Sequence, residues 1–174
     1  PQIASIVQKM VKPRDNENDE YYRLEYFSTG VQPVPEIAII EAKKEVIIMS
    51  DMIIKMLNLF SKTFKDKKNI TESLSKARRI ESKSDQMQEQ ISTYLAECTK
   101  HELSLGSSQG AATMMRLTNE LESIGDSTLN LFLQIERLEQ DIEFNAEINK
   151  EVLEIYNVVI EFIKWNNSFI TNNI

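Results

Sequence analysis

The chain has 174 residues, with 27 acidic against 20 basic side chains and a formal charge of −7. That length suits one domain with a real core, and the acidic balance excludes a nucleic-acid binder, which needs a basic stripe to neutralise phosphates. Only four glycines and four prolines occur, which suits long uninterrupted helices and not a sheet protein rich in turns.

Cys98 is the single cysteine; it excludes an internal disulfide and fits a reducing compartment. No apolar run reaches the roughly eighteen residues that would span a bilayer, and no signal peptide opens the chain. Pro1 stands where an initiator Met would, so a piece of a longer protein is expected.

Residues 1–35 read as a lead-in and residues 36–174 as a helical bundle. Ile3, Ile6, Val7 and Met10 form a short amphipathic stretch that Pro13 ends, and Arg14 to Glu20 is a polar linker. Tyr21, Tyr22, Leu24, Tyr26 and Phe27 make an aromatic cluster. It is expected to pack on the outside of the bundle, with a partner-binding patch as the alternative.

The first long helix, about 36–64, opens at Pro35, because proline is favoured in a first turn. Ile39, Ala42, Val46, Met49, Ile53, Met56 and Phe60 carry its apolar seam, and Ile47, Ile48, Ile54 and Leu57 widen the face. Lys62, Lys65, Lys67 and Lys68 crowd its end, where cations complement a helix C-terminus or meet anionic lipid. Asn69 and Glu72 form a capping-box pattern for a second helix over about 69–101. Its seam is Ala77, Ile80, Ser84, Met87, Ile91, Tyr94 and Cys98.

Gly106 and its neighbouring serines break the pattern and can cap a third helix over about 108–140. Its seam is Leu117, Leu121, Ile124, Thr128, Leu131, Ile135 and Leu138. Asn145 can cap a fourth, over 146–171, with a core face of Ile148, Val152, Ile155, Val159, Phe162 and Phe169. Short connections make successive helices antiparallel neighbours. The expected fold is all-α, an antiparallel up-and-down helix bundle. Self-association is expected too, since the apolar positions on the first and fourth helices exceed one seam.

Two features break local rules within one turn of the third helix. Gly125 in a helix interior costs roughly 1 kcal/mol relative to Ala. Glu122 and Asp126, one turn apart and beside the seam, repel each other by about 0.2–0.5 kcal/mol. Glu81 and Asp85 repeat the E-x-x-x-D spacing on the second helix. If the two helices are neighbours, four carboxylates converge, and the usual remedies are protonation or a bound cation. All-oxygen ligation suits hard cations such as magnesium or manganese, and iron.

The spacing alone fits a solvated acidic face equally well, with Arg78, Arg79 and Lys83 pairing with Glu81 and Asp85. A plain helical interaction module without metal explains the heptads but not Gly125 and its flanking acids. A di-iron centre fails on ligands: His101 is the one histidine, and no Glu lies three residues before it. No phosphate-cradling glycine loop or nucleophile elbow occurs, so no enzyme is expected.

Asn119-Glu120-Leu121-Glu122-Ser123-Ile124-Gly125-Asp126, followed by Asn130, resembles the second acidic signature of PhoU domains. Arg79-Ile80-Glu81-Ser82-Lys83-Ser84-Asp85 resembles the first. Ser123 replaces the usual Arg, which removes no ligand. The resemblance covers roughly residues 36–140, one three-helix repeat plus a fourth helix beyond it, where full-length relatives have two repeats. It implies Glu81, Asp85, Glu122 and Asp126 as ligands of divalent metal ions (iron, zinc, manganese or magnesium), held as a multinuclear cluster.

The lead-in, with Arg23-Leu24-Glu25-Tyr26 and Val34-Pro35-Glu36, resembles the region after the last membrane helix of sodium–phosphate cotransporter family proteins. This implies a regulatory domain at the cytoplasmic face of the bacterial inner membrane. The domain would partner the membrane portion of its own transporter and modulate phosphate uptake or report phosphate status, itself a soluble piece. The alternatives are a free-standing PhoU-type adaptor acting on a phosphate-sensing kinase or uptake complex, and a metal-storing bundle.

Overall fold

Pro35, which needs no N–H partner in a first turn, starts the first of four helices in the computed structural model. They are α1 (Pro35–Lys65), α2 (Ile70–Cys98), α3 (Leu105–Arg137) and α4 (Ala146–Thr171). The structure describes residues 22–25, 34–66, 69–100, 103–138 and 145–172. Among them it is 90% helical and holds no strand, an all-α helical bundle. No helix among the described residues is long and apolar enough to cross a membrane.

Helices α1, α2 and α3 each pack on the other two, whereas α4 packs on α1. Side-chain pairs give the directions. Tyr94 near the end of α2 donates a hydrogen bond to Glu41 near the start of α1, so these two are antiparallel. Ser107 at the start of α3 donates to Glu36 at the start of α1, 2.9 Å apart, so α3 runs parallel to α1. Phe60, late in α1, stacks on Tyr156 in the first half of α4 at 4.5 Å, which makes α4 antiparallel to α1. The up-and-down order is therefore kept throughout.

The core follows the period of each helix. Ala42, Val46, Met49, Ile53, Met56 and Phe60 of α1 are all buried, as are Ala77, Met87, Ile91 and Leu95 of α2. Phe60 is the aromatic junction: it also stacks on Phe64 at 5.6 Å and meets Phe132 of α3 edge-on at 5.3 Å, the geometry aromatic quadrupoles favour. Three buried hydroxyls donate within their own helix. Ser50 donates to the Val46 carbonyl, Thr118 to Met114 and Thr128 to Ile124, at 2.7–2.8 Å, so no polar atom there waits for a distant partner.

Residues 22–25 lie against α2. The Tyr22 N–H donates to Gln86 Oε1, and Gln90 Nε2 donates to the Tyr22 carbonyl, both at 2.8 Å. Two glutamines one turn apart thus hold both polar groups of one residue's backbone. Tyr22 and Leu24 are half-buried and pack on the core. The expectations for Tyr21, Tyr26, Phe27, Lys67, Lys68 and His101 fall outside the described residues.

The structure corrects four expectations. Asn69 does precede α2, but its side chain caps nothing, and Glu72 instead takes Lys76, one turn on, at 2.6 Å. Helix α3 begins earlier than Ser108, because Ser104 accepts the Ser107 N–H at 3.1 Å and caps it. Gly106 and Gly110 are consequently helical; at Gly110 a Cβ would stand 3.3 Å from the Ile39 side chain. The α3 seam is also rotated: Thr118, Gly125 and Phe132 are buried, and Leu131 is exposed.

The largest correction is α4. Asn145 caps it as expected, accepting the Ile148 N–H at 2.8 Å. The face buried on α1, however, is Tyr156, Ile160, Ile163 and Ile170. Ile148, Ile155, Phe162 and Phe169 are exposed. Two apolar stripes run along this helix, and periodicity alone does not say which one meets the bundle.

Candidate metal centre

Gly125 sets the spacing of the site. It faces inward, and a Cβ there would come 3.4 Å from Ser84 Oγ and 3.0 Å from Ile53 Cδ1. Its missing side chain lets α3 close onto α2 with Ser84 opposite. Ser84 in turn donates to the Glu81 carbonyl at 2.8 Å. In an α-helix the residues after Ser84 and Gly125 point about 100° away from this contact. Those residues are Asp85 and Asp126.

Glu81, one turn before Asp85, completes the group. One carboxylate oxygen from each of Glu81, Asp85 and Asp126 lies within 4.8 Å of the others. Glu81 and Asp85 are half-buried and Asp126 is exposed. Three like charges this close disfavour one another, and a cation relieves that most directly.

The donors fit such an ion. Two oxygens on one hard cation, each about 2.0–2.6 Å from it, lie no more than about 5 Å apart. The separation in the structure therefore needs no helix movement. Glu122 stands outside this group of three; its Oε2 accepts from Ser123 Oγ at 3.3 Å. One turn further along, Gln88 Nε2 donates to Asn119 Oδ1 at 2.8 Å and ties α2 to α3 beside the carboxylates. Arg79 and Lys83 line a groove between α1 and α2 with Lys55, Leu59, Lys76 and Ile80.

One acid near the core escaped the sequence argument. Glu45 of α1 is fully buried. Its signal was a charged residue between Ala42 and Met49, on the stripe that otherwise holds the core. The Tyr22 phenol is pushed up to about 12, first by burial and then by the negative charges of Glu45 and Glu25.

The PhoU domain family matches residues 46–135. This chain belongs to the PhoU domain family. The match takes in Glu81, Asp85, Glu122 and Asp126, and leaves α4 and the lead-in outside. PhoU domains are regulatory and non-catalytic, and the family's role is the regulation of phosphate homeostasis. No curated protein and no solved structure matches this PhoU chain.

Proposed function

We propose that this PhoU domain is a metal-binding regulatory module of a sodium-dependent phosphate transporter. It sits at the cytoplasmic face of the bacterial inner membrane and modulates phosphate uptake or reports phosphate status. The observation that carries the metal is the meeting of Glu81, Asp85 and Asp126 from two helices. Glu122, one turn from Asp126 and outside that group, would be the fourth donor, serving a second ion. Iron, zinc, manganese and magnesium all accept carboxylate oxygen, and the absence of nitrogen or sulfur donors in the group favours manganese or magnesium.

The transporter context is supported by the resemblance of the lead-in and by the way residues 22–25 are pinned to α2. Because Gln86 and Gln90 lie on the helix that carries Glu81 and Asp85, a chain entering from a membrane portion is anchored on the same element as the site. A short flexible tether raises the domain's concentration near its membrane partner to about millimolar. A weak contact then suffices, and metal occupancy acts through whatever difference in affinity the two packings of α2 and α3 have for that partner.

The test is phosphate uptake in cells carrying the parent protein with Asp126→Ala or with this domain removed, at low and high phosphate. Transport is expected to persist and to lose its response to phosphate supply. Uptake that responds as in the wild type excludes this role. If metal binding survives in that case, the free-standing adaptor reading gains.

A further inference from the structure

One side of α2 is basic in an otherwise acidic chain. Lys76, Arg79 and Lys83 follow one another at steps of three and four, so they share a face of the helix. That face looks onto α1. Stepping equally along the two antiparallel helices from the Tyr94–Glu41 contact brings Ile80 level with Lys55. There Lys55, Leu59, Lys76, Arg79, Ile80 and Lys83 line an open groove of about 380 Å³.

Every polar side chain in that lining is a cation, although the whole chain carries a formal charge of −7. Lys76 pairs with Glu72 at 2.6 Å. Among the described residues, Lys55, Arg79 and Lys83 form no ion pair. Asp51 stands one turn before Lys55 and does not pair with it. Lys55 and Arg79 are exposed, and Lys83 is half-buried. A cleft lined by charges of one sign focuses its field and concentrates counter-ions.

The groove is distinct from the metal centre. Glu81 and Asp85 each point about 160° away from Lys83 around α2. Gln86 and Gln90 continue the basic stripe beyond Lys83, and their clamp on the Tyr22 backbone occupies that end.

The charges define the ligand. A single phosphate group carries at most about two negative charges near neutral pH, fewer than the three free cations. Lys55 comes from one wall and Arg79 and Lys83 from the other. That arrangement suits several phosphates in a row, with ammonium groups as point charges and the Arg79 fork taking two oxygens. Leu59 and Ile80 add no acceptor that would compete. We propose that the groove between α1 and α2 binds a compound bearing two or more linked phosphate groups, free in solution or as a lipid headgroup. The proposal rests neither on the metal nor on the transporter context.

Inorganic tripolyphosphate is the probe, in metal-free buffer so that no metal–phosphate complex reports on the acidic triad. Titration calorimetry on residues 1–174 should give one site that weakens as salt rises. Orthophosphate should bind at least about tenfold more weakly. Arg79→Gln with Lys83→Gln should weaken tripolyphosphate at least about tenfold, with helicity kept because Gln matches Arg and Lys as a helix former. Lys55→Gln, from the other wall, should repeat the loss. Lys150→Gln with Lys164→Gln removes the same charge from α4 and should change binding less than about twofold. Vesicles containing cardiolipin separate the two sources. Capture that tripolyphosphate displaces assigns a lipid headgroup, and no capture assigns a soluble compound.

An absence of tripolyphosphate binding overturns the proposal. Equal losses in the α2 and α4 pairs overturn it in favour of net charge. Orthophosphate bound as tightly as tripolyphosphate overturns the requirement for linked phosphates. Equal capture by vesicles of phosphatidylglycerol, whose headgroup has one phosphate, overturns it in favour of a charged surface. Binding that appears only after Asp15→Asn, Glu17→Gln, Asp19→Asn and Glu20→Gln overturns it too, since the groove then belongs to this chain's own acidic stretch.

Discussion

Gly125 and Ile53 fit as notch and knob: any Cβ at 125 would stand 3.0 Å from the Ile53 Cδ1, and Ile53 is fully buried. Gly125→Ala gains about 1 kcal/mol of helix propensity and loses about 1–3 kcal/mol to overpacking. The second effect should win, because a side chain with no exposure has little room to yield. A net loss of about 1 kcal/mol, a few degrees in Tm, is expected. Ile53→Val removes the methyl that is in the way. In that background Gly125→Ala should be neutral or stabilising, and a double-mutant cycle by chemical denaturation reads the coupling. Strict additivity would show that the strain lies elsewhere.

Removing a site carboxylate should split stability from binding. Asp126→Asn deletes one of three like charges, so without metal the variant should be as stable as the parent or better, by about 0.2–0.5 kcal/mol. Manganese at a hundredfold excess over its dissociation constant should stabilise the parent by about 2.7 kcal/mol. The variant should show little of that. Thermal melts with and without manganese make the comparison. A parent whose melting ignores every divalent ion tested would leave the solvated acidic face as the better account.

Glu122 separates the arrangement in the structure from the family pattern. It stands outside the group formed by Glu81, Asp85 and Asp126. Glu122→Gln should therefore weaken the first metal ion much less than Asp126→Asn does, while lowering the stoichiometry if a second ion binds. Titration calorimetry with manganese yields both quantities. Equal loss of affinity in the two variants would place Glu122 in the primary site.

Alkaline pH should unfold this bundle through its phenols. Burial and then Glu45 and Glu25 raise Tyr22 from 10.0 to about 12; burial and then the hydrogen bond to Glu41 raise Tyr94 further. Burial does the same at Tyr156, with a side-chain hydrogen bond to Thr128 acting the other way. Folded values above the unfolded one mean that this stability is complete below pH 10. It falls as the pH rises towards and through about 12, because the unfolded chain gives up its protons first. Tyr156→Phe should flatten that loss in melts followed from pH 9 to 12. Tyr22→Phe should flatten it too, and should hold or raise stability at neutral pH by about 1 kcal/mol, since among the described residues the buried Tyr22 hydroxyl has no hydrogen-bond partner. The clamp on its backbone does not involve the hydroxyl and should persist.

Much of the bundle was legible because helix length and seam period are local properties. Pro35 and Asn145 start their helices as their chemistry dictates, and the α1 seam is buried nearly residue for residue. Asn69 misled because Glu72 has a better partner in Lys76. Gly125 looked like an interruption near a ligand, and it is a packing notch whose neighbours carry the acids. Glu81, Asp85 and Asp126 could be named from spacing, but their distances depend on how closely α2 and α3 approach. The α4 face was chosen wrongly for a related reason: a helix with two apolar stripes has two possible insides, and only the neighbours decide between them.

Among the described residues, the backbone of α4 approaches that of α1 alone, with the Tyr156–Thr128 hydrogen bond as a side-chain tie to α3, whereas α1, α2 and α3 pack on one another mutually. That asymmetry gives the molecule an order of disassembly. Amide protons of α4 should exchange with solvent as one cooperative block, at a lower opening free energy than those of the other three. The loss of that block leaves the acidic triad in place, since α2 and α3 are joined without it. The outermost helix can thus come and go on its own timescale while the three-helix unit stays closed.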